Sequence, residues 1–243
     1  MQKRIRVFTL LALMLSSLSL AEPSLEAINK TLKNSRPDLS ISSVKASPIA
    51  GLYEAQMDNG PVVYITADGS HMVVGDLYQN TPGELVNLTE QARNTERADL
   101  LAGIRRQDMI VFSPSAPMAV KGTVTVFTDV DCGYCQKLHK EVPVLNAMGI
   151  EVQYLAFPRA GVGSPSYDKI VSAWCASDRQ AAMTQLKNRQ PIAAATCSNP
   201  VADQYELGQQ MGVRGTPALL LADGTMLPGY MPANELAAVM GIN

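Results

Sequence analysis

Two of the chain's four cysteines stand three positions apart in Cys132-Gly133-Tyr134-Cys135. They fall between a β-branched apolar run, Thr123-Val124-Thr125-Val126-Phe127, and a segment in which Leu138, Val142 and Leu145 recur at helical spacing. A thiol at a helix start faces unpaired N–H groups and the positive end of the helix dipole, both of which favour its thiolate. A second thiol one turn on can close a reducible disulfide with the first. The expected chemistry is reversible thiol–disulfide exchange at Cys132 and Cys135. A zinc site would want two further thiol or imidazole ligands at close spacing. Cys175 and Cys197 are far apart in the chain, and the only histidines are His71 and His139, so no metal is assigned. A purely structural bridge between Cys132 and Cys135 would gain little, because the entropic benefit grows with the loop closed.

Cys175 and Cys197 reverse that balance. Their loop of about 20 residues would contribute about 3 kcal/mol on the chain-entropy account, so they are read as a structural disulfide. A second redox pair is the alternative. Thr216-Pro217, ahead of the apolar run Ala218 to Leu221, is a candidate substrate-binding element. A cis bond there would turn the Thr216 backbone towards the cysteines and let it pair with a substrate strand, whereas a trans bond would make an ordinary turn. Asp129 and Asp131 flank the site and could move protons or raise the Cys132 pKa by like-charge repulsion. A capping or solvated role is favoured for Asp131. His139 is read as a surface residue, and Pro143 should remove the helical bond to the His139 carbonyl.

These residues need a scaffold, and from Lys121 onward the pattern alternates strand and helix. The run Thr123–Phe127 is followed by a helix that Gly149 should stop, and then by a strand over Ile150 to Phe157, which makes a β-α-β unit. Helices around Tyr167 to Cys175 and Val201 to Met211 follow. A strand Ala218 to Leu221, a turn at Asp223-Gly224, a return strand Thr225 to Leu227 and a helix from near Pro232 close the chain. Residues 121–243 are therefore expected to form an α/β thioredoxin-like domain. Residues 22–80 read as a separate small α+β unit. It has an opening helix with Leu25, Ile28 and Leu32 on one face, then short strands Leu52 to Met57, Val62 to Thr66 and His71 to Val74, parted by turn chemistry at Asp58-Asn59-Gly60 and Asp68-Gly69. So small a unit buries a modest core and is expected to pair with a second copy of itself. Residues 81–120 read as a linker whose polar stretch Leu88 to Arg106 forms a spacer helix.

Residues 1–21 read as an export signal, with Lys3, Arg4 and Arg6 ahead of an apolar run too short to span a bilayer and small residues at Ser19 and Ala21. Export places the cysteines where disulfides persist. Removal of the signal takes the 20 basic side chains to 17 against 22 acidic ones, a formal charge of −5, which argues against a nucleic-acid partner.

Several of these segments together resemble the DsbC/DsbG family of periplasmic protein disulfide isomerases: Phe127-Thr128-Asp129 leading into the cysteine pair, Lys137-Leu138-His139, Tyr154 to Arg159, Trp174-Cys175, Gly215-Thr216-Pro217 and, nearer the start, Tyr64-Ile65-Thr66 with Asp68-Gly69. The resemblance implies a homodimer formed by cystatin-like N-terminal domains, with linker helices carrying thioredoxin-like catalytic domains over a cleft for misfolded clients. It implies a chaperone-like role, a periplasmic location, no dissociable cofactor and a membrane reductase of the DsbD type as electron donor. Gly133 and Tyr134 are similar to the isomerase dipeptide and join Thr216 and Pro217 as substrate-binding residues. Gln136 departs from the family's histidine.

Overall fold

The computed structural model describes residues 23–58 and 60–242, so residues 1–21, read above as an export signal, and Asn59 of the first turn lie outside the described residues. The chain divides into two compact units. Among the described residues, one takes in 23–58 and 63–73, and the other 60–62 and 74–242.

In the first unit, helix α1 (Leu25–Ser35) starts where the Ser24 hydroxyl accepts from the Ala27 N–H at 3.3 Å. Four strands follow, β1 (Ile41–Ala46), β2 (Tyr53–Met57), β3 (Val62–Ile65) and β4 (Met72–Val73), in that order across one sheet. The spacing gave no sign of β1, because only Ile41 is buried and polar side chains alternate poorly along it. A side chain fixes its position: Asn29 donates to Ile41 O at 2.9 Å and accepts from Ile41 N at 2.8 Å. Ile28, Ile41, Ala55, Val63 and Ile65 make the core. At the Asp68-Gly69 turn, Gly69 has φ +73° and a side chain there would meet Ile28 Cα at 3.1 Å, so both turn and packing require glycine.

The second unit opens with a hairpin of β5 (Tyr78–Thr81) and β6 (Glu84–Asn87) across Pro82-Gly83. Helix α2 (Leu88–Ala102) follows, capped by the Asn87 side chain accepting from Glu90 N at 2.9 Å. A five-stranded sheet then forms from β7 (Ile110–Phe112), β8 (Gly122–Thr128), β9 (Ile150–Ala156), β10 (Ala218–Leu220) and β11 (Met226–Pro228), ordered β11-β10-β8-β9-β7. Within this sheet β8 and β9 are the one neighbouring pair that is parallel, joined by α3 (Gly133–Ala147), which continues through Pro143. Helices α4 (Pro165–Trp174), α5 (Arg179–Lys187), α6 (Val201–Gln210) and α7 (Ala233–Val239) complete it. Alternation along β8 and β9 sends Val124, Val126 and Tyr154 to one core and Phe127 and Leu155 to the other.

Two differences from the sequence reading bear on the site. Helix α2 is more than a spacer: Leu100 and Leu101 pack on the core containing Phe127 and Leu155, and buried Arg97 donates from Nε to Met211 O at 3.0 Å. Strand β7, inside the stretch read as linker, pairs antiparallel with β9 through Ile110 and Tyr154. Three residues carry too little periodicity to announce a strand.

Candidate active site

Strand β8 is buried from Val124 to Thr128, so its end is rigidly placed, and the turn that follows delivers Cys132 as the N-cap of α3. Its sulfur accepts from the Cys135 backbone N–H at 3.4 Å. Cys132 and Cys135 are both free thiols and both buried, Cys132 2% and Cys135 0% exposed, so what separates them is their electrostatics. Across from them the Thr216–Pro217 bond is cis, and Thr216 O lies 3.2 Å from Cys132 Sγ, where a protonated Cys132 donates to it. The structure thus brings Cys132, Cys135, Thr216 and Pro217 together. Tyr134 projects outward, 65% exposed, and stacks on Tyr230 with centroids 6.4 Å apart. Lys137 Nζ lies 4.2 Å from the Tyr230 ring, and the Tyr230 hydroxyl donates to Glu141 at 2.5 Å. No neighbouring atom lies within 4 Å of where a Gly133 side chain would begin. Cys175 and Cys197 are bonded to each other, Cα to Cα 5.6 Å.

The two thiols are electrically unequal. The Cys135 S–H donates to the Cys132 thiolate, and the Cys135 backbone N–H and the Arg159 charge add to that, outweighing burial and drawing the Cys132 pKa down to about 5. Burial, reinforced by that same S–H bond, pushes Cys135 far up, with Lys187 opposing. Cys132 is the ready nucleophile and Cys135 holds its proton.

The groups that set the Cys132 pKa are Cys135, Thr216 and Arg159 against burial, and Asp129 is not one of them. Its carboxylate is buried and engaged, accepting from Ser166 Oγ at 2.5 Å, Asp131 N at 2.9 Å, Arg159 N at 2.9 Å and Arg159 Nε at 3.2 Å. Burial opposes its ionisation, yet those donors win and its pKa is lowered. Asp129 therefore anchors Arg159, whose charge in turn favours the Cys132 thiolate. Asp131 is exposed and paired with Lys169 at 2.8 Å. His139 is buried, not at the surface, because Tyr154 OH and Thr184 Oγ1 take its ring nitrogens at 3.1 and 3.0 Å. Burial, then the Lys187 charge, lowers its pKa to about 4. Gln136 is buried too, donating to Val130 O at 2.9 Å and accepting from Arg189 Nε at 3.0 Å, so it braces the turn before Cys132.

Lys187 is the residue that reading the sequence missed. Met183, Leu186 and Lys187 are spaced as one buried helix face, which is the signal that marks it, but α5 itself was not anticipated.

The pKa shifts set a pH test. Alkylation of the reduced protein by iodoacetamide should fall on Cys132 with a midpoint near pH 5, leaving Cys135 unmodified at neutral pH. A midpoint above pH 8 in a pH–rate profile would contradict this arrangement. Since Cys132 drops from 9.0 when folded, its ionisation stabilises the reduced protein fully above pH 9 and that contribution is lost as pH falls through about 5.

Comparison with known proteins fits this geometry. Residues 115–241 match the thioredoxin-like domain family, and residues 19–90 match the disulfide bond isomerase protein N-terminal domain. The chain is 42% identical over 240 residues to the thiol:disulfide interchange protein DsbC of Dickeya dadantii, covering 99% of this chain and 95% of that one. It is 38% identical to that of Escherichia coli K12, covering 97% and 94%. A crystal structure of a disulfide interchange protein from Neisseria gonorrhoeae superposes with a TM-score of 0.51 at 29% identity, over 57% of this chain and 96% of that one. With both regions matched and relatives aligned along nearly their whole length, the chain belongs to the DsbC family of thiol:disulfide interchange proteins.

Proposed function

We propose that this chain is a periplasmic protein disulfide isomerase that works as a homodimer, with Cys132 as attacker and Cys135 as resolver. The observation that carries the reading is the unequal pair: a thiolate at Cys132 on the helix start, and a buried, protonated Cys135 one turn below. Cys132 attacks a wrong disulfide in a client and forms a mixed disulfide. A client thiol then reshuffles the bond, or Cys135 attacks Cys132 and releases a reduced client. Thr216, Pro217, Gly133 and Tyr134 form the rim that holds the client strand. Isomerisation starts from the dithiol, so a membrane reductase of the DsbD type supplies electrons and no dissociable cofactor takes part.

In this reading residues 22–80 are the pairing domain, 81–120 the linker, whose α2 and β7 pack onto the catalytic domain, and 121–243 the catalytic domain, after removal of residues 1–21. Strand β4 supports the pairing. It is the last strand of its sheet, with Met72 and Val73 exposed, and an apolar open edge favours a second copy. Trapping of thiols in intact cells tests the whole scheme. Cys132 and Cys135 should be found mostly reduced; a mostly oxidised pair would sink the isomerase reading and make the chain a dithiol oxidase.

A further inference from the structure

Cys135 must lose its proton before it can attack Cys132, yet it is buried and its pKa is pushed up. It has no exposed surface of its own, so the acceptors nearest to it are groups of the protein. Lys187 is the candidate. It is only 2% exposed, and its two hydrogen-bond acceptors are neutral, Thr128 Oγ1 at 2.5 Å and Asp129 O at 2.9 Å. The same Asp129 carbonyl accepts from Cys132 N at 3.3 Å, so the ammonium sits directly beneath the turn that carries the cysteines. An ammonium is costly to bury without a carboxylate partner, and the Asp129 carboxylate is already tied to Arg159 and Ser166.

We propose that Lys187 is the proton acceptor that allows Cys135 to attack, an inference that rests on the attacker and resolver roles given above. In the mixed disulfide Cys132 Sγ is joined to the client sulfur and Cys135 is a thiol. The Cys135 proton passes to the neutral Lys187 amine, and the resulting thiolate attacks Cys132 Sγ. The Cys132–client bond breaks, and the client sulfur leaves with the electron pair as a thiolate. The client is reduced, the Cys132–Cys135 pair is oxidised, and Lys187 holds the proton as ammonium.

The surroundings suit the role. Burial brings the Lys187 pKa down to about 8, opposed by Cys135, Asp129, Cys132 and Asp131. Formation of the mixed disulfide removes the Cys132 charge, which weakens that opposition and frees more neutral amine when it is needed. Tyr154, 5.6 Å from Lys187 at its ring centroid, is held protonated by burial. His139 is no rival, since both of its nitrogens are engaged and burial holds its pKa to about 4.

The test uses the full reduced chain and the aromatic disulfide dithiobis(nitrobenzoate), which reports each step by the colour of released thionitrobenzoate. Attack by Cys132 gives a first burst and a mixed disulfide; attack by Cys135 gives the second. In the wild type the second burst should quicken with pH and level off above about pH 8. Lys187→Met should slow it about 10- to 100-fold at pH 7 and remove the levelling, while the first burst changes less than about threefold. Lys187→Arg keeps the charge but offers no neutral amine, and should share the altered pH profile. A Lys187→Met second burst matching the wild type would overturn the proposal. So would a wild-type profile that climbs without levelling to about pH 10, a measurement that needs no variant to fold. Absence of the first burst would overturn the attacker and resolver reading instead, and it is seen before release is measured.

Discussion

Cys132→Ala is expected to bring the refolding of scrambled ribonuclease down to the uncatalysed rate, a fall of more than about a hundredfold. No other group can stand in. Cys135 keeps its proton at neutral pH, while Cys175 and Cys197 are consumed in their own bond. The size of the Cys132 shift also indicates where its benefit lies. A pKa near 5 instead of 9.0 raises the thiolate fraction at pH 7 about a hundredfold. Nucleophilicity falls with basicity, however, at about half a log unit per pKa unit, which takes back nearly all of that gain. What survives is the leaving-group effect. A sulfur this acidic departs readily from a mixed disulfide, so a client is released to try another pairing and is not trapped. Cys132→Ala that kept more than a tenth of wild-type refolding would sink the enzyme reading. Suppression of client aggregation by the same variant would indicate a holding role alongside the chemistry.

The second large effect is on stability. Gly224 has φ +81°, and a Cβ there would lie 1.8 Å from Asn94 O and 2.8 Å from Ala98 N, both backbone atoms of α2. Gly224→Ala therefore adds a collision with a helix backbone to a backbone cost of about 1 kcal/mol, for a total above about 4 kcal/mol. The melting temperature should fall by about 8 to 16 °C. Gly163→Ala is the control, with φ +79° but no neighbour within 4 Å, and should show the backbone part alone. If calorimetry placed the two variants within about 2 °C of each other, the close approach of α2 to this turn would be refuted.

The same position illustrates what could be read in the sequence. Asp223-Gly224 is a legible turn, since its chemistry is local. That a helix more than a hundred residues earlier lies against it is not, because α2 shows a polar pattern whose few anchors, Arg97, Leu100 and Leu101, resemble surface residues until the core is seen. The central β-α-β unit and the cysteine pair were legible because apolar runs, a Gly149 stop and a three-residue spacing are strong local signals. His139 was misplaced for the opposite reason. Its partners, Tyr154 and Thr184, come from other elements, and spacing from Cys135 alone cannot reveal them. Strands β1 and β7 and helix α5 escaped because each is short or mixed in polarity, and tertiary pairing decides them.

The bond between Cys175 and Cys197 closes a segment that contains the whole of α5, and with it Lys187. Four cysteines can be joined in three ways, and only one of them leaves Cys132 and Cys135 facing each other. A newly made chain that links Cys132 to either distant partner has no attacking sulfur to offer. Maturation of this protein therefore poses the problem that it solves for others, and copies already mature are chemically equipped to correct those that are not.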